Sequence, residues 1–226
     1  DGCTSSVAQP VIVYPVPTPD LGPDPAYCDG GSATFGTSGG VSYDWTPGGM
    51  TDSVITVNPA ATTAYTVTVT NAQGCTASDS ILVTVYPLPV ADAGTNQSVC
   101  FGTSATLTAS GGVLYDWQPI GVGTATTTIT PDTTSDYTVL VTDANGCTDT
   151  DVVTVVVNEL PVLSATADSA RCNGAADGVA TSQVTGGTGP YGYTWSPSGG
   201  SAAVAGGLTA GAYSVIVTDV NGCSDT

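Results

Sequence analysis

The 226-residue chain contains no histidine, one basic side chain (Arg171) and one glutamate (Glu159). Without histidine there is no Ser–His or Cys–His pair for nucleophilic catalysis, and one Glu with one Arg leaves little for acid–base or phosphoryl chemistry. One cation against nineteen acidic residues gives a net charge of −18. That balance excludes nucleic acid and anionic membrane as partners, since both need Lys or Arg to neutralise phosphate. It also keeps copies of the chain from clumping. Only 9% of residues are charged, so the polar surface is built from Thr, Ser, Asn and Gly. No apolar run approaches the ~18 residues of a membrane span. No segment holds a helical period, because Pro and Gly interrupt every candidate. No C-x-x-C occurs among the seven cysteines. Their regular spacing therefore argues for disulfides over zinc, and for an oxidising, extracellular setting. An initiating Met and a signal segment are missing too. The chain opens at DGCTSS and closes at NGCSDT, both inside repeats, which is expected of a window cut from a longer secreted protein.

What is present is one stretch stated three times. It reads SGGVSYDWTP from Ser38 with AYTVTVTNAQGCT from Ala64, SGGVLYDWQP from Ser110 with DYTVLVTDANGCT from Asp136, and TGGTGPYGYTWSP from Thr185 with AYSVIVTDVNGCS from Ala212. Cys3, Cys75 and Cys147 are 72 apart, as are Cys28, Cys100 and Cys172. Self-similarity at a fixed period means a tandem array. The boundaries follow the repeats: residues 1–14 as the last strand of a preceding module, 15–86 and 87–158 as modules 1 and 2, and 159–226 as module 3, which stops before its own last strand. Prolines at 15, 17 and 19, and the YPLP and NELP runs at Tyr86 and Asn158, mark seams where Pro cannot join a central ladder. Such short, stiff linkers predict modules stacked end to end as an extended rod.

Within a module the hydrophobic period is 2. Tyr65, Val67 and Val69 alternate with threonines, and Tyr137, Val139 and Val141 and Tyr213, Val215 and Val217 repeat the pattern, as half-buried strands do. Strands are expected over 65–70, 80–86, 137–142, 152–157 and 213–218, joined through NAQG, DANG and DVNG hairpin turns. Short strands with turn signals every 8 to 12 residues predict an all-β immunoglobulin-like sandwich. Trp45, Trp117 and Trp195 on the third strand, and Tyr65, Tyr137 and Tyr213 opening the sixth, are expected to pack the cores.

The runs GGTGPYGYTWS and GLTAGAYSVIVTDVNGC give module 3 a close resemblance to the SprB repeat of the giant gliding-motility surface adhesins of the Bacteroidetes. Modules 1 and 2 are similar to the immunoglobulin-like and PKD-like repeats of the same class of proteins, and lack the Pro-Tyr-x-Tyr and Leu-x-Ala-Gly-x-Tyr runs. The resemblance implies export across the outer membrane by the type IX system and display at the cell surface. It transfers no catalytic or ligand residues. Asp52-Ser53-Val54, Asp79-Ser80-Ile81, Asp132-Thr133-Thr134 and Asp168-Ser169-Ala170 resemble the O-glycosylation signal of Bacteroidetes exported proteins, with Ser53, Ser80, Thr133 and Ser169 as acceptors.

Two further chemistries are open to the acidic residues. Asp143, Asn145, Asp149 and Asp151 put oxygen donors around a tight turn, as calcium loops do, but no terminal bidentate Glu follows and module 1 carries Asn71 and Gln73 instead. An ordinary hairpin with no cofactor is the preferred reading. Asp149 and Asp151 also share a strand face, where solvated surface is preferred to an acid–base pair. Two disulfide patterns stay open. Same-module pairing joins Cys28 to Cys75, Cys100 to Cys147 and Cys172 to Cys223. Cross-module pairing joins Cys28 to Cys147 and Cys100 to Cys223. The second is favoured because same-module cysteines lie at opposite ends of a sandwich, ~25 Å apart, and a bridge needs Cα atoms within about 7 Å.

The expected function is a structural and adhesive repeat region, the stalk of a surface adhesin or extracellular filament. Its expected partners are neighbouring modules, copies of itself end to end, and surface glycans. The alternatives are glycan-binding modules, or a non-catalytic appendage of a secreted hydrolase. The strand missing from module 3 is expected either from the chain that follows or from another copy.

Overall fold

A computed structural model describes residues 2–172 and 174–226. Among them there is no helix; eighteen strands account for the regular structure. Two compact units are distinguished, residues 1–89 with 143–148, and residues 90–142 with 149–226.

Module 1 is a two-sheet sandwich. β1 (Ala26–Cys28), β6 (Thr76–Tyr86), β5 (Thr63–Thr70) and β3 (Ser42–Thr46) form one sheet in that spatial order, and β2 (Ala33–Gly36) pairs β4 (Val54–Val57) in the other. β1 runs parallel to β6; the other pairs are antiparallel. The alternation read from sequence sorts the side chains as expected. Tyr65, Val67, Val69, Ile81 and Val83 turn inward with Trp45, and meet Phe35, Ile55 and Val57 from the opposite sheet. The intervening threonines and serines face water and pair across the strands, Thr66 with Ser80 at 2.9 Å and Thr68 with Ser78 at 3.0 Å.

Module 2 repeats this plan. β7 (Gln97–Cys100), β12 (Thr148–Asn158), β11 (Ser135–Thr142) and β9 (Leu114–Gln118) form one sheet, and β8 (Ala105–Thr108) with β10 (Thr126–Ile129) the other. Its core gathers Ala105, Leu107, Trp117, Tyr137, Val139, Val141, Val153 and Val155. The Gly-Gly turn before β9 is sterically required: a Cβ on Gly112 would stand 2.6 Å from the carbonyl oxygen of Thr142.

Module 3 departs from the plan. β13 (Pro161–Asp168) pairs antiparallel with β14 (Gly178–Gly186) over eight residues, and β16 (Val204–Leu208) completes that sheet. The facing sheet is β15 (Gly192–Ser196), β17 (Ser214–Thr218) and β18, which is two residues, Ser224–Asp225. The buried core is smaller, with Ala180, Trp195, Ala205, Leu208 and Val215.

One expectation needs correction. Each of modules 1 and 2 has six strands, so the inward tyrosine opens the fifth strand and not the sixth. Residues 7–14, expected as the last strand of a preceding module, join no ladder with the described residues, and Val7, Val11 and Val13 are 89%, 88% and 86% exposed. Tyr213 lies just before β17, half-buried and packed against the module 3 core.

Candidate functional site

The features that repeat with chemical consequence lie at the strand ends, and they begin with the hairpin turn before each cysteine. In all three modules an Asn or Asp side chain at the turn accepts two backbone N–H groups. Asn71 Oδ1 takes those of Gln73 and Cys75, Asp143 Oδ1 those of Asn145 and Cys147, and Asp219 Oδ1 those of Asn221 and Cys223. A glycine closes each turn in the left-handed region, with φ of +82°, +84° and +82° at Gly74, Gly146 and Gly222. An Asx turn followed by a positive-φ glycine is a rigid hairpin. It holds the cysteine that follows in one place.

The structure pairs Cys28 with Cys147 and Cys100 with Cys223, each with Cα atoms 5.5 Å apart. Both bonds run from the last residue of a short parallel strand, β1 or β7, to the turn cysteine of the next module. Cys3, Cys75 and Cys172 are free. The same-module pattern is therefore not the one formed, and the register explains why. Cys28 lies opposite Tyr86, at the far end of β6, whereas Cys75 precedes the first residue of that strand. Ten residues at about 3.3 Å separate those ends by roughly 33 Å. Cys100 opposite Asn158 and Cys147 before Thr148 repeat the mismatch.

Four acidic side chains clamp the backbone of a distant segment. Asp79 accepts the N–H of Leu21 at 2.9 Å, Asp149 that of Ala91 at 3.1 Å, Asp151 that of Ala93 at 2.8 Å, and Asp225 that of Leu163 at 2.9 Å. These clamps join the last strand of a module to the segment that enters it. They span 58 to 62 residues and carry no local sequence signal. As calcium candidates, Asp143 and Asn145 sit in the turn and Asp149 and Asp151 on β12, each occupied as described. No group of three His, Cys, Asp or Glu side chains gathers among the described residues. Amides of Ala93 and Val152 hold the Asp151 carboxyl below its ordinary value, and those of Leu163 and Thr226 do the same for Asp225.

Among the described residues Asp219 is the one buried carboxylate, 5% exposed. Burial opposes its charge, but the amides of Thr188, Cys223 and Asn221 outweigh burial and lower its pKa. A carboxyl depressed in the folded state stabilises above its unfolded pKa, about 4, and loses that contribution as pH falls through the folded value. Thermal melts of the intact chain should therefore be flat from neutral pH to about pH 4 and fall below it. Asp219→Ala should melt lower at neutral pH and lose less on acidification; an acid loss equal to that of the parent would refute the assignment.

The tryptophans are spent internally. Trp45 and Trp117 are fully buried and Trp195 is 7% exposed. Each indole N–H donates to a carbonyl seven residues downstream, on Asp52, Thr124 and Ala202. Tyr65 and Tyr137 are buried as well. None of these rings is a platform for sugar. Ser53, Ser80, Thr133 and Ser169 are exposed, although the Ser80 hydroxyl is shared with Thr66. In module 3 the small core under Trp195 is framed by β13 to β16, a region that coincides with a family match. Residues 164–202 match the SprB repeat. The matching segment carries the PYGYTWS run and the Trp195 core position. No curated protein matches the chain. In fold, the chain is similar to the titin I-band fragment I67–I69, at 15% identity and a TM-score of 0.46, covering 92% of this chain and 96% of that one. It is similar also to the N-terminal eight immunoglobulin domains of the Down syndrome cell adhesion molecule, at 15% identity, TM-score 0.45 and coverage of 90% and 40%. Domains 3–5 of Drosophila OTK give 11% identity, TM-score 0.40 and coverage of 91% and 93%. The modules are all-β two-sheet sandwiches, and residues 164–202 of the third are similar to the SprB repeat.

Proposed function

We propose that the chain is a structural and adhesive repeat region, the load-carrying stalk of a bacterial surface adhesin or extracellular filament, exported through the type IX route and without enzymatic activity of its own. The observation that carries this reading is the direction of the disulfides: each leaves one module and ends in the next. Bonds placed so add nothing to a cleft and much to a junction. Two disulfides fit an oxidising, extracellular compartment. Buried tryptophans and carboxylates bound to amides leave a surface of threonine, serine and aspartate, suited to span distance. A single basic residue gives trypsin one cleavage site.

Modules whose last strands are eleven residues long measure about 36 Å each at 3.3 Å per residue. Three end to end span about 110 Å, with a radius of gyration near 32 Å, against about 17 Å for a compact 226-residue globule. Small-angle scattering of monomeric protein should return the larger value. A radius below about 22 Å would sink the stalk reading.

A further inference from the structure

The turn after the short parallel strand is built alike in modules 1 and 2 and carries different side chains. In module 2 the N–H of Phe101 donates to the carbonyl of Asn158 and that of Thr103 to Cys100, at 2.9 and 3.0 Å, with Gly102 at a φ of +78°. In module 1 the N–H of Asp29 donates to Tyr86 and that of Gly31 to Cys28, at 2.8 and 3.0 Å, with Gly30 at +84°. The Asp29 carboxylate folds back onto its own turn and accepts the N–H of Gly30 at 2.9 Å. On the same backbone, module 2 presents the ring of Phe101, 49% exposed.

That ring is one wall of a groove of about 550 Å³, a size usual for ligand sites. Val157, Leu160 and Val162 line the groove with it, and Asp132 and Glu159 bring two carboxylates. The whole lining lies between Phe101 and Gly186, inside one compact unit. One repeat earlier, 72 residues back, Ala60 and Pro87 stand at the places of Asp132 and Glu159. Three positions distant in sequence therefore differ from module 1 and meet at one groove. Its walls are fixed. Thr134 Oγ1 accepts the N–H of Val157 at 3.0 Å and ties the segment after Asp132 to β12, Val162 is held in the β13–β14 ladder opposite Thr185, and Cys100 beside the ring is bonded to Cys223. A preformed site loses little ordering entropy when it is filled.

We propose that this groove binds a segment of another protein that presents an arginine or lysine between apolar residues. The cation lies against the face of Phe101 with the Asp132 and Glu159 carboxylates beside it, and its apolar neighbours rest on Leu160 and Val162, which are 37% and 60% exposed. The ring quadrupole attracts a cation, more strongly as water is excluded, and a guanidinium also stacks flat on an aromatic face. Apolar surface rimmed by polar groups is the usual form of a protein contact.

Charge decides what kind of partner fits. The chain has one basic side chain, Arg171, which does not line the groove, against nineteen acidic ones. A second copy would bring a net charge of −18 against −18, with a single cation to offer. The positive group therefore comes from a different protein. A bare divalent cation is matched poorly, since two carboxylates amid apolar side chains fall short of the six or more oxygens, roughly, that calcium gathers.

The chain's two phenylalanines make the test direct, because Phe101 lies in the groove and Phe35, 8% exposed, lies in the module 1 core. Labelling the oxidised full chain with para-fluorophenylalanine gives one fluorine signal from the groove and one internal control. Titration with the acetylated, amidated peptide GVRLVG should move the Phe101 signal to saturation and leave that of Phe35 in place. The same peptide with citrulline for arginine, neutral and of nearly the same shape, should bind about tenfold more weakly. Asp132→Asn with Glu159→Gln should weaken the arginine peptide by about tenfold and remove most of its salt dependence. Both side chains are exposed, so this double variant should melt with the parent. Phe101→Ala, followed by saturation transfer to the peptide protons, should lose binding to a similar degree. Calcium chloride alone, up to about 5 mM, should leave the Phe101 signal unmoved. An unmoved Phe101 signal at millimolar arginine peptide, equal affinity for the citrulline peptide, or a calcium-driven shift that the double variant abolishes overturns the proposal.

Discussion

Trp117→Ala is expected to destabilise module 2 by about 3–5 kcal/mol, the usual cost of removing a fully buried large aromatic side chain. Trp117 has no exposed surface. It packs with Leu107, Tyr137, Val139 and Val153 where the two sheets meet, and its indole N–H donates to Thr124 at 3.1 Å. Truncation therefore leaves a cavity and an unpaired carbonyl together, and two flanking β-sheets cannot collapse into the space without breaking ladders. Urea denaturation of the oxidised protein, followed by a core probe in module 2, measures the loss. Val152→Ala, on the wet face of β12 and 49% exposed, is the matched control and should change stability by no more than about 0.5 kcal/mol. A Trp117→Ala loss below about 1 kcal/mol would mean that this core is not the one described.

The second large effect belongs to the bond between Cys100 and Cys223. It closes a loop with a sequence separation of 123. Chain-entropy arguments assign about 4.7 kcal/mol to a loop of about 100 residues, and native disulfides typically return about 2–5. Replacing both cysteines by alanine should lower the stability of the unit formed by residues 90–142 and 149–226 by an amount in that range, whereas Cys75→Ala or Cys172→Ala alone should stay within about 0.5 kcal/mol. If the free cysteines matter as much as the bonded pair, the connectivity is mistaken.

The legible part of this fold was the part with one dry and one wet face. Along Tyr65–Thr70 and Tyr137–Thr142 every second residue is apolar, and the buried set is the one the period picks out. The strands run further than read, β6 from Thr76 and β12 from Thr148, because ladders continue to the turn even where Ser, Thr and Asp replace valine. β1 and β7 escaped notice. Three or four residues carry no period, and what holds them is a parallel partner over fifty residues away. The carboxylate clamps were hidden for the same reason. Their one trace is that Leu21 with Asp79 and Ala93 with Asp151 sit a full repeat apart.

The two disulfides also overlap along the chain, one closing residues 28–147 and the other 100–223. Any single backbone cut between Cys28 and Cys223 therefore falls inside at least one covalent ring, and the pieces stay attached. Two cuts, one before Cys100 and one after Cys147, still leave three fragments joined in series. A protease that nicks one exposed loop between Cys28 and Cys223 releases no fragment until the disulfides are reduced.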